Sequence, residues 1–535
     1  MTVNNTRTTH TWDAIELSFT SAKKYEKPYI DVDFSVTFIS PSGKQYKVPA
    51  YWDGDNTWKV RFAPPMPGHW FWESSSAYSD NTGFFDKKGE FEVEDYEGPN
   101  AVLNHGFLKV NSNGRGFVHH DETPFFWLGD TVWSATAKSN IDEWKEYIKY
   151  RSSQGFNMVQ INSLPQYDAS GEEARAPFLM NTEGEWDLNS INPEYFKYLD
   201  ELMTITKEAG MYTAMVVVWY TYIEKIYEPD EKPSKKARFN NETVYHFARY
   251  LAARYASFGT IWLISGDSNY NEVKEDISVY KTAAKTISEF TPHSLLATAH
   301  LSGNMTTPEV LNKEEWLNFH MYQSGHTIDG LNVTKKYAEK NRSLRPIRPV
   351  LNGEPCYEKI GYIEVKDRVE QKDVRDVAWT SILAGGNAGI TYGAHGLWTW
   401  HRKGEEFPYQ SSWMSLYEWK EALKFNGAND VARMKEFFIK IPWWELEPRR
   451  DLIDSTQIGD VTAASIGDDE IIIIYALNVT KIKLNLRNNN NYKLYWFNTL
   501  TSEESEFTYT RNGELLTFDI PSDIEGAVFV LKKNV

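Results

Sequence analysis

The segment Pro349-Val-Leu-Asn-Gly-Glu-Pro-Cys-Tyr-Glu358 ends an apolar run in a carboxylate, Glu354, which lies between a glycine and a proline. A second segment, Ile261-Trp-Leu-Ile-Ser-Gly-Asp267, ends in the same manner. Buried parallel strands of a barrel deliver functional side chains in this way, at the edge where their carboxyl ends meet. The two segments therefore predict a parallel barrel with acidic groups at its mouth.

Apolar segments of strand length alternate with amphipathic helical segments through the middle of the chain. Eight such strands over roughly 300 residues are typical of a (β/α)8 or TIM barrel. A doubly wound sheet is the main alternative, but no glycine-rich phosphate turn follows the first strand. The predicted strands are residues 125–128, 158–162, 212–218, 261–265, 295–298, 317–321, 350–352 and 389–392, and the predicted helices include residues 192–209, 241–257, 273–290 and 368–384.

Short strands separated by turns flank the predicted barrel on both sides. Before residue 98, alternating polar and apolar residues, for example over residues 29–38, predict a β-sandwich. After about residue 440 the β pattern returns, for example over residues 470–477. We therefore predict a multidomain α/β plus all-β chain: a β-sandwich over residues 1–98, a barrel over 99–440 and a second β-sandwich over 441–535.

Composition excludes several classes of partner. The net charge of −17, from 57 Lys and Arg against 74 Asp and Glu, argues against binding to nucleic acid or an anionic membrane. A single cysteine, Cys356, excludes a disulfide framework and a cysteine-rich metal site. Residues 1–20 are polar and lack the apolar core of a signal peptide, which predicts a cytoplasmic protein. Composition leaves the oligomeric state open.

The positions of the two acids suggest their chemistry. Asp267 follows the fourth predicted strand and Glu354 follows the seventh, so the two carboxylates face one another across the mouth of a barrel. Hydrolysis of a glycosidic bond requires such a pair, one carboxyl protonated and the other ionised. Alternatively, each acid caps the helix that follows it, and Ser268 and Asn269 after Asp267 would suit such a cap. The two positions together favour catalysis.

Other polar and aromatic residues follow the predicted strands at the same rim. Such residues make a pocket with hydrogen-bonding groups for hydroxyls and flat faces for sugar rings. Asp130 is a candidate third acid that orients a substrate hydroxyl, or alternatively binds neighbouring backbone amides. Trp398 is a candidate floor under the reactive sugar, or alternatively packs beneath the rim. The predicted substrate-binding residues are Asp130, Trp133, Asn162, Trp219, His320, Gln323, His326, Tyr392 and Trp398.

Three other functions fit parts of the sequence less well. A metal-dependent hydrolase would need ligands such as His119, His120, His300, His320 and His326, but the chain has no His-Glu-x-x-His pattern. A serine hydrolase would need a Gly-x-Ser-x-Gly elbow after a strand, which is also missing. A non-catalytic carbohydrate-binding or scaffold protein on a barrel is the remaining alternative. We therefore predict no metal and no cofactor.

Four motifs together resemble the apiosidase-like glycoside hydrolases, whose barrels are of the clan-A type. They are Gly129-Asp-Thr-Val-Trp133, Ser265-Gly-Asp267, Tyr322-Gln-Ser-Gly-His326 and Asn352-Gly-Glu-Pro-Cys-Tyr-Glu358. The N-terminal Tyr51-Trp-Asp-Gly-Asp and Val60-Arg-Phe-Ala-Pro-Pro-Met-Pro-Gly-His-Trp70 are similar to the immunoglobulin-like domain that often precedes such barrels.

This resemblance implies a specific mechanism. It assigns Asp267 as general acid/base and Glu354 as nucleophile, with retention of configuration and no cofactor. Most clan-A enzymes have Asn-Glu at the fourth strand, whereas this chain has Gly266-Asp267, which moves the acid back by one methylene. Glu272 is the nearest alternative acid. We expect a retaining, exo-acting glycoside hydrolase that trims small oligosaccharides.

Overall fold

The computed structural model describes residues 7–77, 79–223, 238–271, 274–486, 490–521, 524 and 527–534. Within these residues, eight parallel strands of the central region form one sheet, ordered fifth, fourth, third, second, first, eighth, seventh, sixth. The first to eighth barrel strands are Trp127–Thr131, Met158–Asn162, Tyr212–Trp219, Ile261–Gly266, Ala297–Thr298, His320–Gln323, Val350–Glu354 and Gly389–Tyr392.

The two outer strands of this sheet approach each other. The backbone amide of Asn318 donates to the carbonyl of Ala297 at 2.9 Å, and the Asn318 side chain accepts from the Ala297 amide at 2.7 Å. Because these bonds join the segments of the fifth and sixth strands, the sheet nearly closes on itself. An eight-stranded parallel sheet of this kind fits a (β/α)8 domain.

Helices connect these strands, and asparagine side chains cap the first turn of several of them. Asn240, for example, accepts from the amide of Thr243, and the Thr243 hydroxyl accepts from the amide of Asn240. No helix in the described part of the chain is both long and apolar enough to span a membrane. The helices of the barrel region are Ala101–His105, Ala135–Lys138, Ile141–Ser153, Pro193–Glu208, Asn241–Tyr255, Ile277–Phe290, Glu309–Asn312, Gly330–Ser343, Gln371–Leu383, Gln410–Trp413, Trp419–Ala422 and Gly427–Phe438.

The predicted strands of the central region are confirmed, with shifted ends. The first strand runs over Trp127–Thr131 because Pro124–Phe125 pairs instead with Phe117–Val118 in a small separate sheet that also includes Lys109–Val110. The sixth strand begins at His320, three residues later than predicted. The predicted helices are also confirmed to within a few residues, although residue 273 lies outside the described residues.

The N-terminal region is built from two antiparallel-rich sheets that share a hydrophobic cluster. Trp58 and Val60 come from one sheet, and Val36 and Phe91 come from the other. The prediction of a strand over residues 29–38 is wrong in its first half, because a proline starts a short helix, Pro28–Asp31. The strand itself begins at Phe34. The strands are Arg7–His10, Ile15–Thr20, Phe34–Ile39, Gln45–Pro49, Tyr51–Trp52, Thr57–Phe62, Gly68–Ser76 and Lys88–Glu94.

A buried cluster of ion pairs joins the N-terminal region to the barrel helices. Asp200 accepts from Arg61 of the N-terminal region at 2.5 Å and from Arg254 of a neighbouring helix at 2.7 Å. Arg254 also contacts Asp53 of the N-terminal region at 2.8 Å. The Arg254 side chain is fully buried, so its single positive charge depends on these two carboxylates.

The C-terminal region also contains two sheets, and its central strand is buried on both faces. In Ile471–Leu477, Ile473 and Tyr475 pack against the barrel, whereas Ile472 and Ile474 pack in a separate cluster with the second sheet. The Tyr475 hydroxyl donates to Asp376 on a barrel helix at 2.5 Å. The strands are Glu447–Pro448, Asp460–Ile466, Ile471–Leu477, Lys481–Asn485, Tyr492–Phe497, Glu504–Phe507, Thr510–Asn512, Leu515–Asp519 and Ala527–Lys533.

Candidate active site

A cavity of about 680 Å³ lies at the carboxyl ends of the barrel strands. Its volume lies in the range of small-ligand sites, about 300–1,000 Å³. Both predicted catalytic acids line it. Five of the nine predicted substrate-binding residues do so as well: Trp133, Trp219, Gln323, His326 and Trp398.

Asp267 reaches the cavity through an unusual backbone conformation. Its φ of 47° lies in the left-handed region, which aspartate tolerates better than most residues. The glycine before it is required by packing, since a Cβ at Gly266 would lie 2.1 Å from the indole ring of Trp219. The Gly266-Asp267 pair that departs from the Asn-Glu pattern therefore accommodates a tryptophan from the neighbouring strand.

Glu275 holds the loop that follows Asp267. Its carboxylate accepts hydrogen bonds from the Ser268 hydroxyl, from the Asn269 amide at 3.0 Å and from the Tyr280 hydroxyl at 3.0 Å. The Glu275 side chain is buried, so its bonds to the Ser268 and Tyr280 hydroxyls are shielded from water. Glu272, the alternative acid suggested by the sequence, lies outside the described residues.

Glu354 is the last residue of the seventh barrel strand and receives donors from two directions. The Gln323 amide donates to its Oε1 at 2.5 Å, and His326 Nε2 lies 3.4 Å from the same oxygen. The backbone amide of Tyr357 donates to His326 Nδ1 at 3.3 Å. Because Nδ1 accepts this bond, a neutral His326 carries its proton on Nε2, facing Glu354.

His300 lies between the two acids. Its Nδ1 is 3.6 Å from Asp267 Oδ1, and its Nε2 is 3.3 Å from Glu354 Oε2. The ring is almost completely buried and packs edge-on against Trp133, with centroids 5.1 Å apart. The imidazole thus lies between the two carboxyl groups, in a buried and aromatic surrounding.

The environments of the two acids shift their pKa values in opposite directions. Burial raises the pKa of Asp267 well above its usual range, and the nearby charge of Glu354 raises it further. Burial also acts to raise the pKa of Glu354, but hydrogen bonds and charge from His300 and His326 outweigh it and hold the pKa well below its usual range. Near neutral pH, Asp267 is therefore the proton carrier of the pair and Glu354 is the anion.

Aromatic side chains form the walls of the cavity. The rings of Trp133 and Trp219 pack edge to face at 5.4 Å, and the Trp133 Nε1 donates to the Tyr357 hydroxyl at 3.2 Å. Trp398 packs beside Tyr357, with centroids 6.3 Å apart. Each indole is fixed by its neighbours, so the walls are rigid surfaces suited to the C–H faces of a sugar.

Four predicted substrate-binding residues lie away from the cavity in the described part of the chain. Asp130 is fully buried, where it pairs with Arg151 at 2.6 Å and accepts from the Tyr147 hydroxyl at 3.0 Å. Tyr392 donates to Glu358 at 2.6 Å. His320 begins its strand at the opposite end of the barrel from the acids. The prediction that these three side chains bind substrate is therefore wrong, and they contribute instead to packing, hydrogen bonding and ion pairing inside the barrel region.

Asn162, the fourth of these residues, does not line the cavity but contacts Gln166, which does. Its side-chain amide donates to Gln166 at 2.9 Å, and its oxygen accepts from the Leu164 amide at 3.2 Å. These bonds shape the loop after the second barrel strand. That loop carries Asp168, which lines the cavity together with Asp267, Glu275 and Glu354. The sequence prediction missed Asp168 because nothing in its local pattern distinguishes it from a polar loop residue.

Further cavity residues also escaped the sequence prediction: Tyr167, Tyr220, Tyr357, Tyr409 and Trp413. Of these, only Tyr357 could have been found from the sequence, since it lies three residues after Glu354 in the segment that ends the seventh strand.

The structure shows no candidate metal site among the described residues, because no three of their His, Cys, Asp or Glu side chains form a group able to hold an ion. The histidines considered as metal ligands are dispersed, and two of them instead contact Glu354.

Comparison with known proteins agrees with this geometry. Residues 111–445 match the apiosidase-like catalytic domain, and residues 8–77 match a domain of unknown function, DUF5060. A Bacteroides vulgatus structure provisionally described as a glycoside hydrolase is similar over 99% of this chain and 100% of its own, with 19% identity and a TM-score of 0.76. A structure described as a family 5 glycoside hydrolase of the same organism covers 80% of this chain and 94% of its own, with 23% identity and a TM-score of 0.66. No curated protein matches the chain.

The barrel, the acids at its mouth and the matched catalytic domain define a glycoside hydrolase. The catalytic-domain match spans more than half of the chain, and the two solved structures share its fold. The chain belongs to the apiosidase-like family.

Proposed function

We propose that this glycoside hydrolase removes terminal sugar units from small oligosaccharides with retention of configuration. Glu354 is the nucleophile and Asp267 is the general acid/base. The observation that supports this pairing most directly is the opposite direction of the two pKa shifts, because glycoside hydrolysis by either stereochemical route needs one protonated and one ionised carboxyl group. Retention itself is proposed from membership of the family.

In the first step, Glu354 attacks the anomeric carbon while Asp267 protonates the departing oxygen. The contacts to Gln323 and His326 fix the direction of the Glu354 carboxylate before substrate arrives. In the second step, Asp267, now ionised, removes a proton from water, which attacks the glycosyl ester and frees Glu354. His300, in contact with both acids, keeps their orientation coupled through the two steps.

The sugar at the cleavage point fits the aromatic walls described above. Family membership points to apiose or another furanosidic sugar, and the limited volume of the cavity favours a short substrate over a long chain. We also propose that the two flanking regions, residues 1–98 and 441–535, are β-sandwich domains, the first of the immunoglobulin-like kind. Their paired sheets around separate hydrophobic clusters support this division.

The test is a screen of aryl glycosides, including an apioside, followed by NMR of the first-formed product of any substrate found. A product with the anomeric configuration of the substrate supports retention, and the opposite anomer refutes it. Glu354→Gln should lower kcat at least 1,000-fold while sugar binding persists, because removing a nucleophile leaves the cavity intact.

Glu364→Gln, a change of an exposed glutamate, is the matched control and should behave as the wild type. Full activity of Glu354→Gln would disprove the assignment of the nucleophile. A wild-type protein that binds sugars but hydrolyses none would instead indicate a binding function.

A further inference from the structure

Asp168 is a carboxyl group of the cavity, beside those of Asp267, Glu275 and Glu354, and it lies on the loop after the second barrel strand. Its Oδ1 is buried and has no hydrogen-bond partner among the described residues. Buried polar atoms in native proteins are nearly always paired, and because the Asp168 side chain also lines the cavity, its carboxyl group is free to take a hydrogen-bond partner from a ligand there. The two acids of the proposed mechanism line the same cavity.

The loop that carries Asp168 is held at both ends, so the backbone position of Asp168 is fixed. Near its start, the Tyr222 hydroxyl donates to the carbonyl of Pro165 at 2.7 Å, and Asn162 binds the Gln166 side chain. Near its end, the Gly171 amide donates to the carbonyl of Glu406 at 2.9 Å. A carboxyl group anchored in this manner binds a ligand without first being ordered.

We propose that Asp168 is a specificity-determining residue whose carboxyl group binds a hydroxyl of the substrate and selects sugar units that carry no charge. This inference rests on the proposed glycosidase function and names the substrate class of the same site. An uncharged sugar offers the hydroxyl that Oδ1 lacks. A sugar acid would instead bring its carboxylate against the partly ionised carboxyl group of Asp168, which repels it even when Glu354 is replaced by glutamine.

The electrostatics of the cavity agree with this selection. Burial raises the pKa of Asp168 to about 7, Gln166 acts to lower it, and the charge of Glu354 acts to raise it. Near neutral pH the group is therefore partly protonated and can both donate to and accept from a hydroxyl. Among the described residues, the charged side chains that line the cavity with Asp168 include one lysine, Lys274, which is exposed. The other charged or titratable side chains of the lining are Asp267, Glu275, His326, Glu354, Tyr167, Tyr220, Tyr357 and Tyr409, and His300 contacts both Asp267 and Glu354.

Asp168→Asn tests the proposal, because asparagine keeps the shape but neither ionises nor carries an acidic proton. Binding is measured by tryptophan fluorescence in the Glu354→Gln background, with and without Asp168→Asn. The probes are 4-nitrophenyl β-D-apioside, β-D-glucoside, β-D-xyloside and α-L-arabinofuranoside, with 4-nitrophenyl β-D-glucuronide as the charged counterpart. Asp142→Asn, at an exposed helical position, removes the same charge elsewhere and is the control.

We expect Asp168→Asn to weaken binding of the preferred neutral glycoside about tenfold, as for loss of one good hydrogen bond. The preference for glucoside over glucuronide should fall by a similar factor. In the active enzyme, the high-pH limb of kcat/KM should move to lower pH, because Asp168 contributes to the raised pKa of Asp267. The Asp142 variant should show none of these changes.

The outcomes separate this inference from the proposed function. If the wild type hydrolyses a glycoside and Asp168→Asn leaves affinity, preference and pH profile within twofold, the role of Asp168 is refuted and the glycosidase stands. If the wild type hydrolyses nothing but Asp168→Asn abolishes selective binding of neutral sugars, the glycosidase is refuted and the role of Asp168 stands. Failure to bind any probe overturns the inference.

Discussion

Glu275→Gln would test how the general acid is held, because Glu275 carries the loop that follows Asp267. Its carboxylate accepts three hydrogen bonds, from a hydroxyl, a backbone amide and a tyrosine. Hydrogen bonds to a charged group contribute about 1.5–3 kcal/mol, against about 0.5–1.5 kcal/mol for neutral ones. Glutamine removes the charge and replaces one acceptor oxygen by a donor, so we expect the loop to lose about 3 kcal/mol of local stability.

The assay compares two leaving groups. A 2,4-dinitrophenyl glycoside departs without protonation, whereas an alkyl glycoside needs the proton of Asp267. Because a displacement of about 1 Å can cost a factor of about 100, we expect kcat/KM for the alkyl glycoside to fall roughly ten- to hundredfold. The dinitrophenyl glycoside should change less than threefold. The position of Asp267 depends on the loop that Glu275 holds, because the left-handed backbone conformation of Asp267 persists only when its surroundings enforce it.

Two further variants complete this test. Tyr280→Phe removes one of the three bonds and should give a smaller effect of the same kind. Glu289→Gln, on the exposed side of the following helix, makes the same chemical change without touching the loop. An equal loss for both leaving groups in Glu275→Gln would mean that the residue supports the fold alone, and the positioning argument would be wrong.

The remaining predictions concern pH. Asp267 must be protonated to act as an acid, so kcat/KM should fall as pH rises through its raised pKa. In Asp267→Asn this fall at high pH should disappear from the pH–rate profile, and only substrates with activated leaving groups should still be hydrolysed. Glu354 must be ionised, so activity should also fall as pH drops through its lowered pKa. His326→Phe removes a donor that lowers that pKa, and the low-pH limb of the same profile should therefore move to higher pH; an unmoved limb would contradict the contact's role.

Sequence periodicity predicted the barrel well because its strands are buried on both faces and read as short apolar runs between helices. The second and eighth strands, for example, have the bounds that the pattern predicts. The shifted first strand shows what periodicity alone does not predict, since Pro124–Phe125 is extended like a barrel strand but pairs in another sheet. Pairing partners depend on contacts distant in sequence, which a local pattern does not contain.

The candidate site was only partly predictable for a related reason. Successive side chains of a strand point to opposite faces, and in a buried strand both faces are apolar, so the sequence does not tell which residues point into the barrel. Asp130 therefore looked like a rim acid although it turns towards Arg151 on a helix. Asp168 lies in a loop without periodicity, and its proximity to the acids arises only from the folded path of that loop.

The ion pairs between the N-terminal region and the barrel limit how this chain could be shortened or recombined. A barrel separated from its first 98 residues would keep Arg254 but lose Asp53, and Asp200 would lose Arg61. Arg254 and Asp200 would still pair with each other, on a surface newly open to water, so the loss would be smaller than the about 3–5 kcal/mol that an unpaired buried charge costs. A replacement grafted in place of the N-terminal region would therefore have to supply the same charges at the same places.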